Sequence, residues 1–444
     1  MLTKPWSKLC FLYLIFVVTD CVPVPVSTVP LHPREERNAA VETAQVENWG
    51  TFSSPVFNAD GTMLATYDSG SDLVRIFRSL DLTPINSLKP TRRPRRLSFS
   101  PSGHFLVIEA YQGWIDDFLS NKTPTGHIPI DSPEAVRDDI QRVEIWDLRT
   151  GQTIPDLCCD AVVTSKPQGG WLWARKWAIV PGYRSSGLLE AHFSADGVEF
   201  SALCWNGVEQ RWDSRNWERL EDIPPPPFWD AVMGLTTAMW LAQDDAAGRS
   251  SDGRIAVLRP REKSFGFGTI YLWDRNTSQA RRLPGECASR LLPVYSLTRD
   301  GSRIVAACNY GLGYSIRAWN LHSEQEIKLQ NANFGFAGGL PTITGGGIAV
   351  SPNGQYLAVA LLAQMQALLP NVLLIPAAIE RSDLRLWNLD EGKELVTVSI
   401  DELVGNTGYF GGVDLAFSPD SQTLAVGGKR LRLYRLSELG TRTR

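Results

Sequence analysis

Two short patterns of apolar and polar positions alternate along most of this chain, and each occurs seven times. The first is an apolar residue, two or three small or polar residues, Asp, Asn or Ser followed by Gly, and a second apolar run. It stands at Phe57-Asn-Ala-Asp-Gly61, Phe99-Ser-Pro-Ser-Gly103, Phe193-Ser-Ala-Asp-Gly197, Ser250-Ser-Asp-Gly253, Leu297-Thr-Arg-Asp-Gly301 and Val350-Ser-Pro-Asn-Gly354. The seventh copy, Phe417-Ser-Pro-Asp-Ser421, ends in Ser. Asp-Gly or Asn-Gly between apolar runs predicts a β-hairpin, because Gly supplies the positive φ that the turn needs. The second pattern is an alternating strand that ends in an aromatic residue. Its copies are Val74-Arg-Ile-Phe77, Val143-Glu-Ile-Trp146, Glu209-Gln-Arg-Trp212, Ile270-Tyr-Leu-Trp273, Ile316-Arg-Ala-Trp319, Leu384-Arg-Leu-Trp387 and Leu431-Arg-Leu-Tyr434. Alternation with period two is the mark of a packed strand. One such hairpin is too small to bury both its faces; like units stacked around an axis bury them all.

With Trp146-Asp147, Trp212-Asp213 and Trp273-Asp274, and the variants Trp319-Asn320 and Trp387-Asn388, the chain resembles the WD40 repeat family. The resemblance spans residues 41–440. It implies an all-β fold, a seven-bladed β-propeller with four antiparallel strands per blade. The outermost strand of the last blade would then come from the N-terminus, between Val41 and Trp49. Two departures stand out. The family's Gly-His dipeptide before the innermost strand is absent from all seven repeats, which puts its buried Asp-His-Ser/Thr-Trp network in doubt here. In the third repeat Glu209 and Arg211 replace inward apolar residues; they form a buried pair or mark a shift of register, and the shift is the preferred reading.

Repeats of about 40–45 residues are shorter than this spacing, so several intervals carry insertions. Gly113 to Gln141 and Ala363 to Ser382 lie between second and third strands, while Cys158 to Gly187, Pro224 to Ala238 and Asn331 to Gly347 precede innermost strands. In antiparallel blades both kinds of connection emerge on one side, where variable loops carry function. The insertion with Gln364, Leu368, Leu369, Pro370 and Pro376 is almost wholly apolar, and its prolines bar a long helix. Together with Trp114, Phe118, Trp171, Trp173, Phe334, Phe336, Tyr409 and Phe410 it forms a candidate protein-binding patch, with mutual packing of the insertions as the alternative.

Composition narrows the chemistry. Lys and Arg number 44 against 48 Asp and Glu, a net charge of −4 that argues against a nucleic-acid binder. The basic run Lys89, Arg92, Arg93, Arg95 and Arg96 is read as neutralising the acidic insertion beside it. No phosphate loop, nucleophile elbow or metal-ligand spacing occurs, so no cofactor, metal or catalytic residue is expected. His192 reads as a packed residue.

Residues 1–21 hold Lys4 and Lys8 and an apolar run from Leu9 to Val18, like a secretory leader, and residues 22–40 form a Pro-rich linker. These favour a secreted or periplasmic location, with a cytoplasmic one as the alternative. Cys158, Cys159, Cys204, Cys287 and Cys308 show no framework spacing and read as free buried thiols. The expected function is a monomeric, non-catalytic scaffold for a protein partner, with membrane contact through the N-terminus only. The alternatives are a propeller hydrolase or lyase acting at the channel mouth, or a membrane-associated scaffold.

Overall fold

The computed structural model describes residues 42–46, 51–110, 143–154, 157, 188–204, 208–224, 250, 254–258, 271–274, 277, 279–283, 294–310, 313–334, 340–342, 347–368, 374–404 and 413–439. The expected leader and linker lie outside them. The described residues all belong to one compact unit, Ala40–Arg444.

Strand is the main conformation of the described residues, and the strands form seven antiparallel sheets in chain order. The first is Phe52–Phe57, Met63–Asp68, Leu73–Arg78 and Pro84–Leu88; the second is Pro94–Phe99, Phe105–Ala110, Val143–Asp147 and Gln152–Ile154. The third holds Leu188–Phe193, Glu199–Cys204 and Glu209–Asp213, and the fourth Ile255–Leu258, Tyr271–Asp274 and Gln279–Arg282. The fifth runs Val294–Leu297, Arg303–Tyr310, Gly313–Asn320 and Gln325–Ile327, with Asn333–Phe334 also paired to its third strand. The sixth combines Leu340–Thr342 and Ile348–Val350 with Tyr356–Leu368, Leu374–Asn388 and Lys393–Ser399. The seventh is Asp414–Phe417, Thr423–Gly427 and Leu431–Arg435, and Glu42–Val46 from the other end of the sequence pairs antiparallel with its last strand.

The first repeated pattern is a single turn built seven times. A Ser, Thr or Asn follows the apolar residue (Arg249 in the fourth copy), and its side-chain oxygen accepts the backbone N–H five residues on. The pairs are Asn58 with Met63, Ser100 with Phe105, Ser194 with Glu199, Ser250 with Ile255, Thr298 with Arg303, Ser351 with Tyr356 and Ser418 with Thr423, all between 2.8 and 3.0 Å. The turn of the predicted hairpin is therefore a four-residue loop closed by a side chain. Its Asp or Asn caps the N–H two residues later, as Asp60 does to Thr62 and Asp196 to Val198. The left-handed position needs Gly, and Gly61, Gly103, Gly197, Gly301 and Gly354 have φ of 69–75° there; Ser421 takes it at 60°.

The second pattern sets the packing. Each terminal aromatic pairs across to the second strand: Phe77 with Leu64, Trp146 with Leu106, Trp212 with Phe200, Trp319 with Ile304, Trp387 with Leu357 and Tyr434 with Leu424. All six partners are fully buried. The aromatic face meets the preceding sheet, as Trp387 packs with Val305, Ala307 and Ile316, and Trp319 with Ile255, Leu272 and Leu283. The opposite face meets the following sheet, as Leu384 and Leu386 pack with Leu415, Phe417 and Leu424. Both faces of a sheet thus leave water, each buried Leu or Ile contributing roughly 1.5–3 kcal/mol. The first sheet packs on the second through Ile76, Leu97 and Ile108, and on the seventh through Phe52, Phe77, Leu431 and Leu433.

Two expectations are corrected. Pairing of Glu199–Cys204 with Glu209–Asp213 runs from Leu203 opposite Glu209 to Glu199 opposite Asp213 with no break, so no register shift occurs at Glu209 or Arg211. Nor do Glu209 and Arg211 form a buried pair with each other: the Arg211 guanidinium lies 2.6 Å from the Glu199 carboxylate across the strand pair. Glu209 is buried, and its main chain pairs with Ile223. The second correction concerns the cysteines. Cys204 and Cys308 are disulfide-bonded, where free thiols were expected. Spacing carries no signal for such bonding, because bridged cysteines are brought together by the fold and not by local sequence.

Candidate interaction surface

Consecutive connections of an antiparallel sheet leave from alternate ends. The turns just described and the turns between third and fourth strands share one end of each sheet; the hairpins between second and third strands stand at the other. At that second end, among the described residues, the fifth and sixth sheets run further than the rest. Arg303–Tyr310 and Gly313–Asn320 pair to the tip, Tyr310 opposite Gly313. In the sixth sheet pairing continues from Leu357 opposite Trp387 to Leu368 opposite Leu374, whereas in the first it stops at Asp68 opposite Leu73. At about 3.3 Å per residue the sixth hairpin therefore runs roughly 20 Å further.

The described parts of the apolar insertion, 363–368 and 374–382, are thus extensions of two paired strands. Register shifts fall between Ala363 and Gln364 and between Met365 and Gln366, and Pro376 sits opposite Gln366 beside the second shift. A bulge is where a strand accommodates proline, which cannot donate to the ladder. Leu340–Thr342 pairs with Leu362–Gln364 and gives the extension a third strand.

The base of this hairpin is held by polar contacts. Asp401 accepts the Ser382 backbone N–H at 2.6 Å and the Ser399 hydroxyl at 2.7 Å. The Ile400 N–H donates to the Ser382 carbonyl at 2.8 Å. On the fifth-sheet side the Trp387 indole N–H donates to the Gln330 carbonyl at 2.7 Å. The Arg385 guanidinium lies 4.9 Å over the half-buried Phe334 ring and 3.7 Å from Glu394, which accepts from Asn331 and Thr397. This cation–π stack fixes the Phe334 ring between the two sheets.

Of the ten candidate residues, Phe334 is the one whose side chain is described. It pairs through its backbone with Tyr314. Leu368 is placed by its backbone at the far end of the sixth hairpin, opposite Leu374. Trp114, Phe118, Trp171, Trp173, Phe336, Leu369, Tyr409 and Phe410 lie outside the described residues. Arg385, Glu394 and Asp401 are missed by sequence reasoning. The Arg of the third-strand pattern was a signal for the first of them, since Arg75, Arg317 and Arg432 hold the same place and each pairs with a carboxylate.

Elsewhere, Arg96 of the basic run lies 3.5 Å from Glu190 of the third sheet, and His192 is half-buried. The acidic insertion opposite that run lies outside the described residues. A cleft of about 310 Å³ opens at the turn end between the first and seventh sheets, lined by Asp60, Ser79, Leu80, Asp420 and Arg435 among others. Its two carboxylates cap their own turns, Asp60 toward Thr62 and Asp420 toward Gln422. Hydrogen bonds from Thr62 hold the Asp60 carboxyl below its ordinary range, the reverse of what a general acid requires. Among the described residues, no group of three or more His, Cys, Asp or Glu is placed to hold a metal, and no helix is long and apolar enough to cross a membrane. No protein-family model matches this sequence, and no curated protein is similar to it.

Proposed function

We propose that the unit Ala40–Arg444 is a seven-bladed, WD40-like β-propeller acting as a non-catalytic platform for a protein partner. The ring reading is supported by the order of packing, in which the first sheet meets both the second and the seventh. The turns stack in the same order: a methyl group on Gly103 would meet Asn58, one on Gly197 would meet Pro101, and one on Gly61 would meet Pro419 of the seventh sheet. Pairing of Glu42–Val46 with Leu431–Arg435 supplies the family's closing strand.

One observation carries the platform reading: the sixth hairpin extends far past its neighbours while its base is pinned by Asp401 and Trp387. The extended sequence from Leu361 to Leu368 has only Gln364 and Gln366 as polar residues. An apolar projection held at its base suits capture of a partner, because a strand already paired loses little backbone freedom on binding. The test removes the projection and keeps the sheet. Leu362 and Ser382 are opposite one another, so joining them through Asn-Gly should leave the core register intact. Co-purification with the full chain should recover a stoichiometric protein partner that the shortened variant, equal in melting temperature, fails to recover. Equal recovery by both forms would contradict the assignment.

A further inference from the structure

We propose that Cys204 and Cys308 belong to two equivalent disulfides, each tying a sheet to the connection arriving from the sheet before it, and that the chain matures where thiols are oxidised. The two residues hold the same place in their repeats. Each stands five residues after the one whose N–H closes the first turn, Glu199 and Arg303 respectively. Each is almost fully buried, with its Sγ 3.8 and 3.9 Å from the carbonyl oxygens of Ala202 and Ala306, two residues earlier. Both are disulfide-bonded. They do not share a bridge, because Cys204 packs against the second sheet and Cys308 against the fourth.

The company each keeps points to its partner. The Cys204 cluster contains Leu157, the neighbour of Cys158 and two residues from Cys159; the Cys308 cluster contains Leu283, four residues before Cys287. Four residues span at most about 14 Å, which bounds how far Cys287 can lie from Leu283. Cys158, Cys159 and Cys287 themselves lie outside the described residues. Cys10 and Cys21 stand in residues 1–21, the leader-like stretch that an exported chain would shed. One of the adjacent pair Cys158 and Cys159 thus joins Cys204, Cys287 joins Cys308, and one thiol of the five stays reduced. Forming each bridge removes two protons and two electrons from two thiols. These pass to a protein or small-molecule disulfide, which is reduced to the dithiol. Such bridges persist in exported proteins and are rare in reducing cytosol.

Peptide mapping of the full chain, exported and alkylated after unfolding without reductant, tests this. The Cys204 peptide should be linked to the peptide bearing Cys158 and Cys159, and the Cys308 peptide to that bearing Cys287; both links should vanish on reduction. In Cys308→Ala, Cys287 should become newly alkylated while the Cys204 link remains, and Cys204→Ala should give the converse. Alkylation of Cys204 or Cys308 in the unreduced native-sequence chain, or a link between those two, would overturn the proposal. The mapping reads the native-sequence protein, so a variant that fails to fold does not blunt it.

Discussion

Gly151 and Gly392 occupy the same place, the left-handed position that ends the turn between third and fourth strands, with φ of 70° and 63°. Their surroundings differ. A methyl group on Gly151 would meet nothing within 4 Å, whereas one on Gly392 would fall 2.1 Å from the Lys328 carbonyl oxygen, which lies on the fifth-sheet side of the junction. Gly151→Ala should therefore cost about 1–2 kcal/mol, the backbone term alone. Gly392→Ala must also move main chain and should cost at least twice as much; urea unfolding of the two variants measures the difference, and equal costs would contradict the packing at this seam. Leu82, Trp217 and Glu324 take positive φ in the turns of other sheets, so the sequence does not reserve this position for Gly. That is why the third–fourth turns were less legible than the first–second turns, where Gly recurs. What was legible at this scale is the Asp or Asn after the aromatic. Its side-chain oxygen accepts the N–H two residues on, as Asp147 does from Arg149 and Asn388 from Asp390.

At the scale of the element, those turn aspartates make the strand connections acid-sensitive. Arg215 donates to Asp213 from its side chain at 2.9 Å and from its backbone at 2.9 Å, and holds the Asp213 carboxyl down to about 2 against an ordinary 3.8. A carboxyl lowered in the folded state stabilises above its ordinary value and loses that contribution as pH falls through the folded one. The turn should thus weaken between about pH 4 and pH 2. Asp213→Asn keeps an oxygen for the Arg215 N–H, as Asn320 and Asn388 do in their turns, and removes the titration. Its melting temperature should fall less steeply over that pH window than that of the native sequence; identical slopes would contradict the account. The sixth hairpin was only half legible at this scale. Its apolar content and the bar to helix were evident, but the prolines concealed a strand that absorbs Pro376 beside a bulge. The alternation Gln364-Met-Gln366 was the signal for it. In the third sheet, polar residues at inward positions suggested slippage. The register holds because the neighbouring Phe200–Trp212 pair is buried, and a one-residue slip would expose it.

For the whole molecule, the repeat was legible because both its patterns answer fixed physical needs: a side chain to close a turn, and an aromatic to fill the preceding sheet. Neither need depends on which loops are inserted between copies, so the patterns survive spacing that varies widely. The disulfide bonding of Cys204 and Cys308 and the polar pins of the sixth hairpin were not legible, since no local pattern marks the residues that make them. Closure is the claim on which the platform reading stands: among the described residues, buried clusters join the first sheet to the second and the seventh, the second to the third, and the fourth through the seventh in order. The first and seventh are covered only if they meet. A crystal structure of the full chain tests this most directly. The account predicts seven sheets about one axis, with Phe52 and Phe77 against Ala425, Leu431 and Leu433, and Glu42–Val46 paired with Leu431–Arg435. A gap between the first and seventh sheets, or any other number of sheets, would contradict it.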